Sequence, residues 1–205
     1  MCPHGRVVYT VYEQLFNKYI RDGTVVSGSL CLYGIPEFLK ERREKEDDLK
    51  IKVTNLKFTT ETTEDYEHFI RFIDLDVLEN VTVIADENSL ALIDKQEIKT
   101  CKNLTVIVNF GYGPRPTNFS VDQFLRLQNQ HFQLEYFRFN CHDLQLFVEG
   151  WITTGREIGT RFSLGQIRYE DVRGILEHLK THFGADEAGS NLENYFSSKK
   201  FMVVL

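Results

Sequence analysis

The sequence predicts an α/β fold, an irregular leucine-rich-repeat-like solenoid of alternating strands and helices with a mainly parallel sheet. Short stretches in which apolar and polar residues alternate, as half-buried strands require, recur along the chain. Patterns with the 3.6-residue period of amphipathic helices lie between them. Strands that alternate with helices at this spacing predict parallel strands joined by right-handed crossovers.

The amino-terminal part of the chain predicts two strands and two helices. A helix is expected over residues 8–19 and a strand over 29–33. Alternation over residues 49–58 predicts the next strand. Thr62, with Asp65 three residues later, can cap a helix whose apolar positions fall on one face.

Two copies of one short unit follow. Asn80-Val-Thr-Val and Asn103-Leu-Thr-Val have the same pattern of an amide, an apolar residue, a threonine and a valine. A stretch beginning at Leu134-Glu and another at Arg161 resemble them. The predicted strands of this series are 78–84, 102–108, 134–139 and 161–164.

Three helices with apolar faces accompany these strands. Ser120 and Gln123 form a capping box that predicts a helix start, and residues 144–152 form a nearly unbroken apolar stripe that contains Trp151. Trp151 is therefore expected in the core. Residues 172–183 predict a last amphipathic helix.

The alternation within the strands favours a solenoid over a doubly wound sheet. A doubly wound sheet has helices on both faces and nearly continuous apolar strands, whereas Val81-Thr-Val and Leu104-Thr-Val alternate. One sheet face is therefore predicted to be open to water. The leucine-rich-repeat pattern is matched loosely, and in these two copies only the second has an asparagine, Asn109, whose side chain can bond the turning backbone.

Residues 1–183 are predicted to form one repeat-like domain, and 184–205 a polar linker with a possible terminal strand over 201–205. The two glycines and two prolines of residues 111–118 predict a loop. Asn-x-Ser/Thr sequons begin at Asn80, Asn103 and Asn118, and we interpret them as coincidental.

Composition excludes several classes of protein. Thirty acidic side chains exceed 24 basic ones, and the net charge of −6 argues against general nucleic-acid binding. No apolar run approaches the roughly 20 residues that cross a bilayer, and no secretory leader is recognisable. The four cysteines form no CxxC pair, which favours free thiols. The sequence therefore predicts a cytoplasmic or nuclear protein that does not bind membranes.

The motifs that usually mark catalysis are missing or incomplete. Gly111-Tyr-Gly is followed by Pro114, which is incompatible with a dinucleotide-binding helix start, and no phosphate-binding loop or GxSxG elbow occurs. His178 and His182 lack the HExxH glutamate. Cys141 and His142 are adjacent, a poor arrangement for a nucleophile and its base. No catalytic, cofactor-binding or metal-binding residue is predicted, and a small enzyme with a non-local active site is the alternative hypothesis.

The remaining candidate is a surface that binds another protein. Polar residues between the apolar positions of successive strands should form a row on the open sheet face. Rigid loops with tyrosine and arginine also suit protein contacts. The predicted protein-binding residues are Lys57, Thr82, Thr105, Arg138 and Ser163 on the strands, and Tyr112 and Arg115 on the loop.

Residues 140–155, Asn-Cys-His-Asp-Leu-Gln-Leu-Phe-Val-Glu-Gly-Trp-Ile-Thr-Thr-Gly, resemble the nematode F-box-associated domain of the second type. The likeness extends over about residues 49–179. It implies a leucine-rich-repeat-like receptor that captures a protein substrate for a cullin-type ubiquitin ligase. An F-box that would bind the Skp adaptor is not recognisable, so Skp and cullin are expected partners only where an F-box is present elsewhere.

Overall fold

The computed structural model describes residues 25–33, 50–59, 63–86, 90–108, 120–137, 139–157, 159–165 and 169–184, together with positions 14 and 18. The predicted helix over 8–19, apart from those two positions, and the predicted loop over 111–118 lie outside the described residues. So do Asn109 and the tail beyond Gly184. The predictions made for them stay predictions.

One parallel sheet forms the centre of the described structure. Its six strands lie in the order in which they occur along the chain, and every neighbouring pair is parallel. The strands are β1 Val26–Tyr33, β2 Val53–Thr59, β3 Asn80–Ala85, β4 Asn103–Val108, β5 His131–Glu135 and β6 Arg161–Leu164.

In the described residues, four α-helices and one 3-10 helix lie in the connections between strands, and a fifth α-helix follows β6. The α-helices are α1 Thr63–Ile70, α2 Gln96–Thr100, α3 Val121–Leu125, α4 Cys141–Thr153 and α5 Tyr169–Phe183, and the 3-10 helix is Leu90–Asp94. The sequence patterns indicated α1, α3, α4 and α5, but no helix was named between β3 and β4. None of the described helices is long and apolar enough to cross a bilayer.

The order of the strands determines where the helices lie. Each strand is added beside the previous one in the same direction, and crossovers of this kind are right-handed, so successive connections return over the same face of the sheet. The α/β class and the parallel sheet predicted from the sequence are confirmed.

Burial along the strands alternates as one covered face requires. In β3, Val81, Val83 and Ala85 are buried, whereas Asn80, Thr82 and Ile84 are only half-buried. β4 has the same pattern. We call the face with the half-buried and exposed side chains the open face.

Aromatic rings dominate the core beneath the carboxyl-terminal strands. The ring of Phe147 on α4 lies 4.4 Å from that of Phe162 on β6, 5.5 Å from that of Trp151 and 6.5 Å from that of Phe124, measured between centroids. Trp151 is only 4% exposed, which confirms its predicted place in the core.

Side-chain caps begin two of these helices. The Ser120 hydroxyl accepts a hydrogen bond from the Asp122 backbone N–H at the start of α3. The Asn140 side-chain oxygen accepts one from the Asp143 N–H at the start of α4. Both contacts satisfy a backbone donor that has no partner within the helix.

The predicted strand over 134–139 was placed too late in the chain. β5 ends at Glu135, and the next residue, Tyr136, has a positive φ of 59° that breaks the strand. The apolar alternation continues for a different reason: Phe137 and Phe139 fold back into the core, where their ring centroids are 4.7 Å apart.

Close packing of α4 on α3 leads to a testable difference between two helical glycines. A Cβ on Gly150 would lie 2.6 Å from Leu125 Cδ1, whereas one on Gly174 of α5 would meet nothing within 4 Å. Gly150→Ala is expected to destabilise the domain by about 1 kcal/mol, because the leucine must move. Gly174→Ala should stabilise it by about 0.5–1 kcal/mol through its better helix propensity. Urea unfolding followed by circular dichroism measures both, and equal effects would contradict the described packing of α4 on α3.

Candidate functional site

The open face brings most of the predicted binding residues into one row. Backbone pairing aligns Lys57 with Thr82, and Thr82 with Thr105. Ser163 lies two strands beyond Thr105 in the same row. We call this line the central row, and its members from β1 to β6 are Cys31, Lys57, Thr82, Thr105, Gln133 and Ser163.

Gln133, rather than Arg138, occupies the β5 position of the central row. It pairs with Thr105 on one side and Ser163 on the other. Arg138 follows the end of β5 and lies outside the described residues, as do Tyr112 and Arg115. Gln133 takes the place predicted for Arg138 because β5 begins at His131 and not at residue 134. Gln133 therefore belongs to the strand, and Arg138 does not.

A second row of side chains lies at the beginning of the strands on the same face. Asn80 donates to the side-chain oxygen of Asn55, and Asn103 donates to that of Asn80. Asn55 in turn donates to the Gly28 carbonyl oxygen at 3.3 Å. The register continues this row through His131 to Arg161. The hydrogen bonds of these asparagines stabilise the strand starts. The polar side chains of the central row are engaged in fewer such bonds between strands.

The open face carries mainly neutral polar groups in its central row, with Glu135 beside Gln133. Hydroxyl and amide groups occupy the central row from Thr82 to Ser163, with Lys57 at one end. Ile84 and Ile107 form an apolar pair beside them. Neighbouring strands lie about 4.8 Å apart, so these groups repeat at a regular spacing that suits contacts with another polypeptide.

A groove of about 950 Å³ opens at the edge of the sheet where β4 to β6 begin. Residues near the carboxyl-terminal ends of α2, α3 and α4 line it, with residues that precede the strands. We call it the edge groove, and its lining includes Lys99, Lys102, Arg126, Gln128, Gln130 and Arg156. Sequence reasoning did not identify it, because its lining residues come from separate segments of the chain.

Arg156 holds the side of the edge groove together. Its guanidinium donates to the carbonyl oxygens of Leu125, at 2.7 Å, and Leu127, and lies 4.1 Å from the centre of the Trp151 ring. Burial lowers the pKa of Arg156. The arginine thereby connects the end of α3 to the region after α4.

Asn129 is a buried polar residue, 1% exposed, close to the same edge. Its side-chain amide donates to the carbonyl oxygens of Ile98, at 2.8 Å, and Cys101, at 2.7 Å. Burial raises the pKa of the Cys101 thiol to about 12, so the free thiol stays protonated at neutral pH. Asn129 thus bonds the turning backbone that precedes β4, the role that the sequence pattern assigned to Asn109.

The histidines singled out in the sequence lie away from the edge groove. His178 Nε2 is 2.5 Å from the Glu149 carboxylate, and the His178 ring stacks on His182 with centroids 4.2 Å apart. A hydrogen bond from Gln145, followed by the contact with His178, lowers the pKa of Glu149. His142 is exposed on the first turn of α4.

The arrangements that would favour an enzyme are not found in the described part of the chain. Among the described residues, no histidine lines the edge groove. Within the same described residues, no three side chains of histidine, cysteine, aspartate or glutamate come together in a way that could hold a metal ion.

Comparison with known proteins gives one match. A family model described as a domain of unknown function, DUF3557, matches residues 11–168. No curated protein matches the chain. No solved structure matches it.

Proposed function

We propose that this chain, which belongs to the family of domains of unknown function DUF3557, is a protein-recognition module that binds a partner through the open face of its sheet. The observation that carries the proposal is the aligned central row. Five successive strands, β2 to β6, each present one polar side chain there, from Lys57 to Ser163. Parallel sheets usually have both faces covered, so a polar, uncovered face in the described structure is unusual and suits binding.

The partner that suits this surface is a polypeptide segment with neutral polar and branched apolar side chains. Thr82, Thr105 and Gln133 can donate and accept hydrogen bonds without the desolvation of a full charge. Ile84 and Ile107 supply an apolar contact beside them. Such a mixture of hydrogen-bonding and apolar surface is typical of protein interfaces.

The sequential strand order supports a leucine-rich-repeat-like solenoid, whose concave face would be the open face. With the resemblance of residues 140–155 to F-box-associated domains, it leads us to propose that the partner is a substrate for a ubiquitin ligase. Skp adaptor and cullin would then join the complex through an F-box supplied elsewhere. This role requires no cofactor and no nucleic acid.

Site-specific crosslinking tests the proposed surface. A photoreactive amino acid placed at Thr82 or Thr105 is expected to give the same covalent adduct in extract, identified by mass spectrometry. The control position is Leu176 on α5, which is 43% exposed on the helical side of the sheet. Adducts that form equally from Leu176 would contradict recognition by the open face.

The identified partner then permits a quantitative test. Thr82→Arg with Thr105→Arg should weaken its binding at least about tenfold, because two long charged side chains would replace small hydroxyls at the interface centre. Leu176→Arg serves as the matched control and should leave the dissociation constant unchanged. Recovery of Skp and cullin with the wild type would support the ligase role separately.

A further inference from the structure

The edge groove has a charge opposite to that of the whole chain. The protein carries a net charge of −6, yet among the described residues four basic side chains line the groove against one acidic side chain, that of Glu157. The basic residues are Lys99, Lys102, Arg126 and Arg156. A concave basic region favours an acidic ligand, even on a protein that is acidic overall.

Internal ion pairs leave part of this positive charge available. Asp94 is shared between Arg126, at 3.0 Å, and Lys99, at 3.9 Å. Lys102 is 3.7 Å from Glu79, and both side chains are more than half exposed. The Lys102–Glu79 pair is exposed and therefore weak, so a ligand carboxylate can replace or join it at little cost.

The positive charge does not simply balance the carbonyl ends of the helices. The Leu125 and Leu127 carbonyls accept from Arg156, and those of Ile98 and Cys101 accept from Asn129. Backbone N–H groups occupy further carbonyls, including Gln128 N–H on the Lys99 oxygen and His131 N–H on the Lys102 oxygen. Lys99, Lys102 and Arg126 are therefore not needed as caps for these carbonyls.

Three exposed glutamines add uncommitted amides to the basic groups. Gln96, Gln128 and Gln130 line the groove, and their side chains have no hydrogen-bond partner within the described part of the chain. An amide side chain both donates and accepts, which matches the N–H and C=O groups of an extended polypeptide. The groove thus combines groups that bind carboxylates with groups that bind a peptide backbone.

The basic character continues onto the neighbouring strand starts. His131 and Arg161 lie next to each other at the beginning of β5 and β6. Burial lowers the pKa of His131, and the nearby charges of Arg161 and Lys102 lower it further, which is what a locally positive field does. Arg161 and Lys102 therefore extend the positive field of the edge groove to this end of the open face, where His131 is favoured in its neutral form.

We propose that the edge groove binds an acidic peptide segment, with Arg126, Lys102 and Lys99 contacting carboxylates and the three glutamines contacting the peptide backbone. The proposal rests on the proposed function, since it supplies a second contact for a protein partner. The volume of about 950 Å³ lies at the upper end of the range for ligand sites. It can accommodate a few residues, which span about 3.4 Å each when extended.

The test is a titration of the whole chain with a fluorescein-labelled peptide of alternating glutamate and glycine, followed by fluorescence anisotropy. The same peptide with glutamine in place of glutamate is the reference ligand. Wild type should bind the acidic peptide at least about tenfold more tightly than the reference, and salt should weaken the binding because the contacts are between charges. Equal affinity for the two peptides would overturn the proposal.

Two double variants locate the binding. Arg126→Gln with Lys102→Gln should weaken the acidic peptide at least about tenfold, since two charge-assisted contacts are lost. Arg173→Gln with Lys180→Gln removes the same charge from exposed positions of α5 and should leave affinity within about twofold, as expected for screened, distant charges. Equal losses in both variants would overturn the proposal. Peptide binding that fails while Thr105 still crosslinks a partner rejects the groove and leaves the proposed function standing.

Discussion

Replacing Phe147 by alanine is expected to lower the free energy of unfolding by about 3–5 kcal/mol, the usual cost of removing a fully buried aromatic side chain. Phe147 is 0% exposed and contacts rings from three other elements or connections. Its loss would leave a cavity that Phe124, Phe139 and Phe162 cannot fill without leaving their own contacts. A loss of this size is a large part of the stability of an ordinary domain.

Leu146→Ala is the matched control, since it shortens the neighbouring side chain on the same helix. Leu146 is 44% exposed, so its truncation should cost less than about 1 kcal/mol. Urea unfolding monitored by circular dichroism gives both free energies. Similar losses for the two variants would contradict the orientation of α4, in which Phe147 faces the sheet and Leu146 faces away from it.

The sequence was sufficient to predict the open face because the repeated unit determines which residues of each strand share a face. The copies starting at Asn80 and Asn103 place an apolar residue, a threonine and a valine in the same order, and side chains of a strand alternate between faces. Thr82 and Thr105 therefore had to point away from Val81 and Val83. Register between the strands follows once the copies are aligned.

The same repetition explains the sequons. Asn80 and Asn103 precede Thr82 and Thr105 because each pair marks the start of a strand. The Asn80 side-chain amide donates to Asn55, and that of Asn103 donates to Asn80. The Asn-x-Thr pattern is thus a structural repeat. Neither sequon alone predicts that the asparagines of neighbouring strands hydrogen-bond to each other.

β5 was misplaced because apolar alternation continues past the end of the strand. Phe137 and Phe139 are buried, as strand residues would be, but they reach the core after the turn at Tyr136. Periodicity detects which residues are buried and not which element buries them. Gln133 was consequently overlooked in favour of Arg138.

The edge groove could not be predicted from local pattern. Its basic residues are distributed over three connections, and only the sequential order of the strands brings the ends of α2, α3 and α4 to one edge. Asn129 was missed for a related reason, since its acceptors belong to the preceding repeat. Its position before β5 does correspond to that of Cys101 before β4, a signal that an alignment of the repeats would reveal.

Arg156→Ala is expected to lower the free energy of unfolding by about 2–4 kcal/mol. The guanidinium donates to two backbone carbonyls, of Leu125 and Leu127, and truncation removes both charge-assisted hydrogen bonds. It also removes the contact with the Trp151 ring, which contributes about 0.5–2 kcal/mol in such sites. For a chain of this size the corresponding fall in Tm is roughly 5–12 °C.

Arg156→Lys separates the geometry of these contacts from the charge. A lysine keeps the positive charge but has no planar fork to reach two carbonyls at once, so it should restore less than half of the lost stability. Thermal unfolding of the wild type and both variants measures the difference. A lysine variant as stable as the wild type would show that the charge alone matters, and that α3 is not tied to the region after α4 through the Leu125 and Leu127 carbonyls. The expected failure of lysine would instead show that the guanidinium geometry, and not the charge alone, ties α3 to the region after α4.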